Sequence, residues 1–307
     1  MLRYLLKRLL GAIPTLLLLI TLAFCLVRFA PGGPFDYERR LPPAVEANLA
    51  AKYHLDESLP QQYLRYLGQL AQGDLGPSFQ YRDYTVNELI AAGLPVSFLL
   101  GGLAMLFALL AGIAAGSFAA LKRNRWMDHA VMTLSMAGIS IPNYVMAPLL
   151  ILLFAIALDW LPAGGWHDGA PRHLVLPVIV LALPQVAYIA RITRSSLIDV
   201  LHSDFIRTAR AKGLSAREVL LRHALKPALL PVMSYLGPTA AAVMTGSVVV
   251  EQIFGIPGIG RFFVQGALNR DYTLVLGVAI FYGALVLVFN LLVDLAYAAL
   301  DPRVRYQ

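Results

Sequence analysis

The chain of 307 residues has little charge and a single cysteine. Charged residues make up only 14% of it, against about 25% in an ordinary soluble domain. Together with the excess of apolar residues described below, this shortage excludes a disordered or fibrous protein and argues against a soluble two-domain enzyme. Because Cys25 stands alone, the chain holds no intramolecular disulfide and no thiolate cage for a metal ion.

Catalytic and nucleotide-binding motifs are missing as well. The sequence contains no G-x-x-x-x-G-K-[ST] loop for nucleotide phosphates, no H-E-x-x-H and no G-x-S-x-G. The glycine-rich segment 255–260 has no lysine and is interpreted as a turn, and His167 and His173 are interpreted as exposed loop histidines. We therefore expect no catalytic residues, no metal site and no cofactor.

Apolar residues are in excess, at 58% of the chain, and the mean hydropathy is +0.66. Six apolar stretches are long enough to cross a bilayer core of about 30 Å as helices. They run from 9 to 29, 95 to 121, 130 to 158, 173 to 190, 228 to 250 and 273 to 298. We expect an all-α membrane protein of six transmembrane helices with both termini on one side, the first helix being uncleaved.

The distribution of charge predicts which side that is. The formal net charge is +7, which in so apolar a chain is typical of cytoplasmic loops and not of a nucleic-acid-binding face. Basic residues cluster before the first stretch, at 122–125, at 191–226 and after the last stretch. We therefore expect both termini in the cytoplasm and segment 30–94 outside.

Small residues and turn signals predict how the pieces pack. Gly112 and Gly116 form a G-x-x-x-G pair, and Gly237, Ala241 and Thr245 recur every four residues, as on helices that approach closely. Within 30–94, helices are predicted at 43–54, at 60–72 and from Thr85, where Glu88 completes a capping box. This segment is either a small cap over the helices or a docking surface for an external partner.

The basic loop that follows Arg191 carries the most specific local pattern. Asp204–Lys212 predicts a short helix, Gly213 a left-handed turn, and Ser215 with Glu218 the capped start of a second helix. Apolar Phe205 and Ile206 beside the small Ala209 suit insertion into a groove of another protein. The alternative is an interfacial helix on lipid headgroups.

Residues 207–213 of this loop resemble the E-A-A-x-x-x-G signature of the membrane subunits of ABC importers. Ala209 and Gly213 stand at matching positions, whereas Arg207 and Thr208 depart from the signature as in its peptide-permease branch. The segments 251–261, 268–272 and 301–306 also resemble that branch, and 31–35 with 51–55 resemble the B-type subunits of oligopeptide permeases. The resemblance covers nearly the whole chain.

The resemblance implies a type I ABC importer permease fold in the bacterial inner membrane. It implies an N-terminal helix at 1–29, a periplasmic segment at 30–94, a core at 95–300 with a coupling loop at 191–227, and a cytoplasmic tail at 301–307. The implied partners are a homologous second permease subunit, two cytoplasmic ATPase subunits, a periplasmic peptide-binding protein and the lipid bilayer. The residues implied to couple to an ATPase are Phe205, Ile206, Arg207, Ala209, Arg210 and Gly213.

Neutral polar residues inside the spans are candidates for a translocation path. They are Asn143, Gln185, Thr239, Thr245 and Ser247, of which the first two directly follow prolines. Hydrogen bonding between helices is the alternative. An ion-driven transporter would need an acid at mid-depth, whereas Glu251 and Asp294 fall near span ends. We expect a non-catalytic oligopeptide permease subunit, with a dipeptide, glutathione or nickel substrate left open.

Overall fold

The computed structural model describes residues 2–29, 54, 56–81 and 83–300. Predictions for the helix at 43–53, the motifs at 31–35 and 51–55 (except His54) and the tail at 301–307 lie outside this range. The described part consists of helices without a β-strand, and Pro77 and Thr85 form an isolated bridge. The helices are α1 Leu2–Phe29, α2 Leu59–Ala71, α3 Val86–Leu121, α4 Trp126–Ser140, α5 Asn143–Leu150, α6 Pro171–Leu201, α7 Asp204–Ala211, α8 Ala216–Glu218, α9 Leu225–Ala228, α10 Leu230–Phe254, α11 Ile259–Leu268 and α12 Tyr272–Leu300.

In the part of the chain that the structure describes, five helices are long and apolar enough to cross a membrane. These lie in α1, α3, α6, α10 and α12, and the count becomes six if α4 and the segment Asn143–Ala157 form one span. The multi-pass helical architecture is thus confirmed. The helix predicted from Thr85 and the span predicted at 95–121 form one helix, α3, and α6 continues beyond its predicted span to Leu201 within the basic loop.

The third predicted span, 130–158, is not one straight helix. α4 ends at Ser140, and the chain bends by 108° before the segment Asn143–Ala157. Pro142 explains the break: it disfavours helical geometry in the residue before it, and Ile141 is extended at φ −90° and ψ 116°. The prolines within α6 and α10, by contrast, leave those helices continuous.

Contacts divide the chain into two compact units, the first formed by residues 1–95 and 257–287. Within it α2 packs on α1, with the Tyr63 ring centroid 5.3 Å from that of Phe24 and the Tyr63 hydroxyl 2.6 Å from that of Thr21. The capped start of α3 is confirmed, since the Thr85 N–H donates to the Glu88 carboxylate at 2.8 Å.

A buried carboxylate organises another part of this first unit. Asp271 is fully buried and accepts hydrogen bonds from the Ser78 hydroxyl at 2.5 Å and from the Phe79 and Gln80 N–H groups at 3.1 Å. Its other oxygen accepts from the Leu274 N–H at 3.1 Å in the first turn of α12. One side chain therefore caps α12 and fixes the loop that precedes α3.

The second unit comprises residues 96–256 and 288–307. Here α6 packs against α4 and α10, around a core that includes Leu100, Leu176 and Ile189. The predicted close approach at the glycine pair is confirmed within the chain. A Cβ at Gly112 would lie 2.8 Å from the Ile189 Cβ, and one at Gly116 would overlap the Ala190 carbonyl oxygen.

We predict that Gly116→Val destabilises the protein, because its side chain has no room against α6. Overpacking of this kind costs about 1–3 kcal/mol. Gly102→Val is the matched control on the same helix, since a Cβ at Gly102 meets nothing within 4 Å. Thermal unfolding of the detergent-solubilised chain measures both variants. An equal unfolding temperature for the two would contradict the packing role of Gly116.

Candidate functional site

The basic loop folds as predicted, into a helix, a glycine turn and a second capped helix. Ser203 precedes α7 in extended geometry, and Asp204 lies in its first turn with Arg207 Nη1 at 3.2 Å. At the other end the Gly213 N–H donates to the Arg210 carbonyl at 2.9 Å. Gly213 has φ +81°, a conformation that glycine adopts readily and that residues with a Cβ adopt only rarely.

The start of the second helix is a complete capping box. The Ser215 N–H donates to the Glu218 carboxylate at 3.2 Å, and the Glu218 N–H donates to the Ser215 hydroxyl at 3.3 Å. The Ser215 hydroxyl, together with its backbone N–H, holds the pKa of Glu218 below its usual value. The cap therefore fixes the angle at which the chain leaves Gly213.

The two faces of α7 have different surroundings. Ile206 and Ala209 are buried against the chain itself, in a cluster with Leu197, Val219, Ala224 and Ala228. Phe205, Arg207 and Arg210 are exposed, with half of the Phe205 surface open. Together with the exposed Asp204 and Thr208, these residues form the solvent-facing surface of α7, which we call the exposed face of α7.

This arrangement corrects one expectation. Ile206 and Ala209 do not project toward another protein, because the segment 219–228 covers them. They share one helix face at a spacing of three residues, whereas Phe205 lies on a different one. The pattern of apolar residues predicted an amphipathic helix, but it could not indicate which apolar side chain the chain's own second helix would cover.

A buried ion pair lies just before this loop, and the sequence did not reveal it. Asp128 in the first turn of α4 is fully buried and accepts two hydrogen bonds from Arg194 of α6, from Nε at 2.5 Å and from Nη2 at 2.6 Å. The Asn124 N–H also donates to Asp128 at 2.9 Å. The two partners are 66 residues apart, so no local pattern could have paired them.

Of the neutral polar residues predicted for a translocation path, Gln185 and Thr239 share Tyr235 as a hydrogen-bond partner, whereas Ser247 bonds within its own helix. Gln185 of α6 accepts a hydrogen bond from the Tyr235 hydroxyl of α10 at 2.8 Å, whereas the buried Ser247 donates to the Met244 carbonyl of its own helix. Thr239 is buried, and Asn143 is half-buried at the break before α5. The side chain of Thr245 lies outside the described part, so a shared path stays a prediction.

Glu251 and the pair His167 and His173 lie beside other groups of the chain itself. Glu251 is fully buried near the end of α10 and accepts a hydrogen bond from the Ser97 hydroxyl of α3 at 2.7 Å. The rings of His167 and His173 lie 4.3 Å apart, and His173 Nδ1 is 2.9 Å from the Gly164 carbonyl oxygen. Among the described residues no three potential ligands gather into a metal-binding group.

Comparison with known proteins gives matches along the whole chain. Residues 112–306 match the family described as binding-protein-dependent transport system inner membrane component, and residues 1–86 match the N-terminal family of such membrane components. The chain is 57% identical to the oligopeptide transport system permease proteins OppB of Salmonella typhimurium and Escherichia coli K12, over 100% of both chains. It is 46% identical to the dipeptide transport system permease protein DppB of Bacillus subtilis, over 99% of this chain and 98% of that one.

Solved structures share the fold at low sequence identity. The inward-facing MetNI methionine ABC transporter matches with a TM-score of 0.59 at 17% identity, over 69% of this chain and 96% of the other. An amino acid ABC transporter in complex with histidines matches with a TM-score of 0.55 at 20% identity, over 69% and 94%. The helical arrangement is therefore that of type I ABC importer permeases.

We predict that Asp128→Asn destabilises the fold, because it leaves the Arg194 guanidinium without its carboxylate. Breaking a fully buried pair costs about 3–5 kcal/mol, and we expect about 1–3 kcal/mol here because 26% of the Arg194 side chain reaches solvent. Asp204→Asn is the control, since its pair with Arg207 is exposed. Thermal unfolding should change for the first variant alone, and a similar effect of both would argue against the importance of burial.

Proposed function

The chain belongs to the family of binding-protein-dependent transport system inner membrane components, and we propose that it is a membrane subunit of an ATP-driven importer of oligopeptides. The assignment to oligopeptides rests on 57% identity to oligopeptide permeases over the full length, against 46% to a dipeptide permease. In this proposal the subunit itself is non-catalytic and ATP is hydrolysed by partner subunits, in keeping with a sequence that contains no phosphate-binding loop.

The observation that carries this proposal is that α7 has an exposed face while its other side is packed in the chain's own core. Phe205, Arg207 and Arg210 lie on a helix that Ile206 and Ala209 anchor to the chain's own core. An anchored helix with an apolar and basic outer face suits a groove in a soluble partner. In our proposal this partner is one of two cytoplasmic ATPase subunits, and Gly213 sets the angle between α7 and the next helix.

The base of α7 also provides a route for movement. Leu197 of α6 is in the same buried cluster as Ile206, and Arg194 one turn earlier is paired with Asp128 of α4. A push on α7 would therefore move α6 and α4 together. We propose that ATPase closure shifts the protein in this way between inward-open and outward-open states, which ATP biases from a distance.

The remaining partners and the location follow from the same proposal. A homologous second permease subunit completes the pathway, and a periplasmic binding protein delivers the peptide. The chain lies in the inner membrane, which its core at 95–300 spans. Segment 30–94 lies in the periplasm, and the tail at 301–307 lies in the cytoplasm. Asn143, Gln185, Thr239, Thr245 and Ser247 are proposed to line the path.

We predict this orientation from the positions of basic residues. In a Cys25→Ala background, single cysteines at the exposed Asp56 and Asp168 should react with a membrane-impermeant thiol reagent added to intact cells. Cysteines at the exposed Arg123 and Arg210 should react only after permeabilisation. Labelling of Arg210→Cys in intact cells would reverse the orientation.

We predict that peptide uptake needs ATP and no ion gradient. Two buried acids in the described spans already have partners within the chain, Asp128 with Arg194 and Glu251 with Ser97. Neither therefore serves as a free site for a coupling ion. Proteoliposomes that contain this chain, its second permease subunit and the ATPases, supplied with the binding protein, should take up a labelled oligopeptide. This uptake should persist with a protonophore and without sodium, and stop without ATP. Uptake that survives without ATP but collapses with the gradient would favour a secondary transporter.

The same assay contains a test of coupling through α7. Gly213→Val should lower uptake and peptide-stimulated ATP hydrolysis, because a β-branched residue is strained at φ +81°. Gly213→Asn is the matched control, since asparagine tolerates positive φ and a Cβ there meets nothing within 4 Å. Full uptake by the valine variant would remove this turn from the coupling mechanism.

A further inference from the structure

Two adjoining cavities in the first unit have complementary chemical character. One, of about 240 Å³, lies beside the last turns of α1 and is lined by Arg28, Tyr66 and Phe24 among others. The other, of about 470 Å³, is lined almost entirely by apolar side chains of α1, α2 and α12, such as Leu16, Leu70 and Phe281. Leu75 lines both cavities. We call the first the polar cavity and the second the apolar groove.

The polar cavity contains a cation whose pairing is incomplete. Arg28 lies with its guanidinium 5.5 Å from the centre of the Phe24 ring, and its Nε is buried without a hydrogen-bond partner among the described residues. Among the described residues that line the cavity, none is acidic. Its other arginine, Arg65, is already paired with Glu57. Arg28 is thus the side chain in this cavity whose charge an anion would neutralise.

Tyr66 supplies a second donor directed to the same place. The residue is 8% exposed, and its hydroxyl is buried without a partner among the described residues. Burial raises the pKa of Tyr66 well above its ordinary value, so the hydroxyl keeps its proton and can donate. A buried donor left without an acceptor costs about 1–3 kcal/mol. An oxyanion in the polar cavity would satisfy Arg28 and Tyr66 together.

The depth of each cavity along α1 identifies the kind of anion. The membrane-spanning part of α1 is Leu10–Phe29, so Arg28 lies at its very end, where lipid headgroups are found. The groove residues Leu16, Leu17 and Ile20 lie one to three turns deeper in that span. From Leu16 to Phe24 the helix rises about 12 Å, close to the roughly 15 Å of one hydrocarbon leaflet.

We propose that the first unit binds one phospholipid, with its phosphate against Arg28 and Tyr66 and an acyl chain in the apolar groove. The same α1 face, at positions 16, 20, 24, 27 and 28, contacts the lipid from chain to headgroup. The phosphate thereby gives the buried Arg28 Nε an acceptor. The lipid holds α2, which forms one wall of both cavities, against α1 and α12.

Lipid retention by the full chain tests this proposal. After purification in mild detergent and extensive washing, native mass spectrometry should show one retained phospholipid per chain. Arg28→Gln should weaken phospholipid binding at least about tenfold, because charge-assisted hydrogen bonds contribute about 1.5–3 kcal/mol. Tyr66→Phe removes a single hydroxyl without changing the shape of the residue and should weaken it about fivefold. Arg172→Gln removes a charge of the same sign from a residue outside both cavities and should have no effect.

A groove variant and a soluble headgroup separate a lipid from a free anion. Ala284→Phe narrows the apolar groove and should lower phospholipid retention without touching the polar cavity. Glycerol 3-phosphate has the same phosphate without acyl chains and should fail to stabilise the chain at concentrations at which phosphatidylglycerol does. Stabilisation by glycerol 3-phosphate that Ala284→Phe leaves intact would show a free-anion site and overturn the lipid proposal. Unchanged phospholipid retention in both Arg28→Gln and Tyr66→Phe would overturn it as well.

Discussion

In the hydrocarbon core of a bilayer, every backbone polar group must find its partner within the protein, because no water is present to supply one. The long helices α3, α6, α10 and α12 meet most of this requirement along their own ladders, although the prolines inside α3, α6 and α10 each remove one ladder donor. At the break at Ile141–Pro142, the Ile141 N–H still donates to the Ala137 carbonyl while Val145 and Met146 donate to Pro142. A sharp bend is therefore accommodated at the cost of few backbone hydrogen bonds.

With the backbone satisfied, the helices must still be held together in a medium that is as apolar as their side chains. This chain combines two solutions. Close approach at Gly112 and Gly116 brings α3 onto α6. Polar groups are paired between helices at both ends of the second unit's helices, as Asp128 with Arg194 and Glu251 with Ser97. The close approach at the glycines stabilises the helix pair through contact area. The paired polar groups set its geometry, since a bidentate ion pair fixes the relative rotation of two helices.

The sequence predicts features whose cause is local or periodic. Five of the six apolar spans, the capping boxes at Thr85 and Ser215, and the turn at Gly213 each depend on neighbouring residues, and the structure confirms them. The ion pair of Asp128 with Arg194 and the bond between Gln185 and Tyr235 depend on the tertiary fold instead. The burial of Ile206 belongs to the same class, because a helix with apolar residues on two faces does not indicate which face the rest of the chain will cover.

That buried face of α7 has a consequence for how the proposed importer would work. If α7 were tethered only by flexible loops, a partner could move it without moving the membrane helices. Instead Ile206 and Ala209 are packed with Leu197, on a helix that continues without a break from Pro171 through the span. Displacing α7 alone would expose this cluster to water, at about 25 cal/mol for each Å² uncovered. Moving α7 together with α6 and the segment 219–228 keeps these contacts buried, so in the proposed importer a force on the exposed face of α7 would be transmitted to the membrane helices.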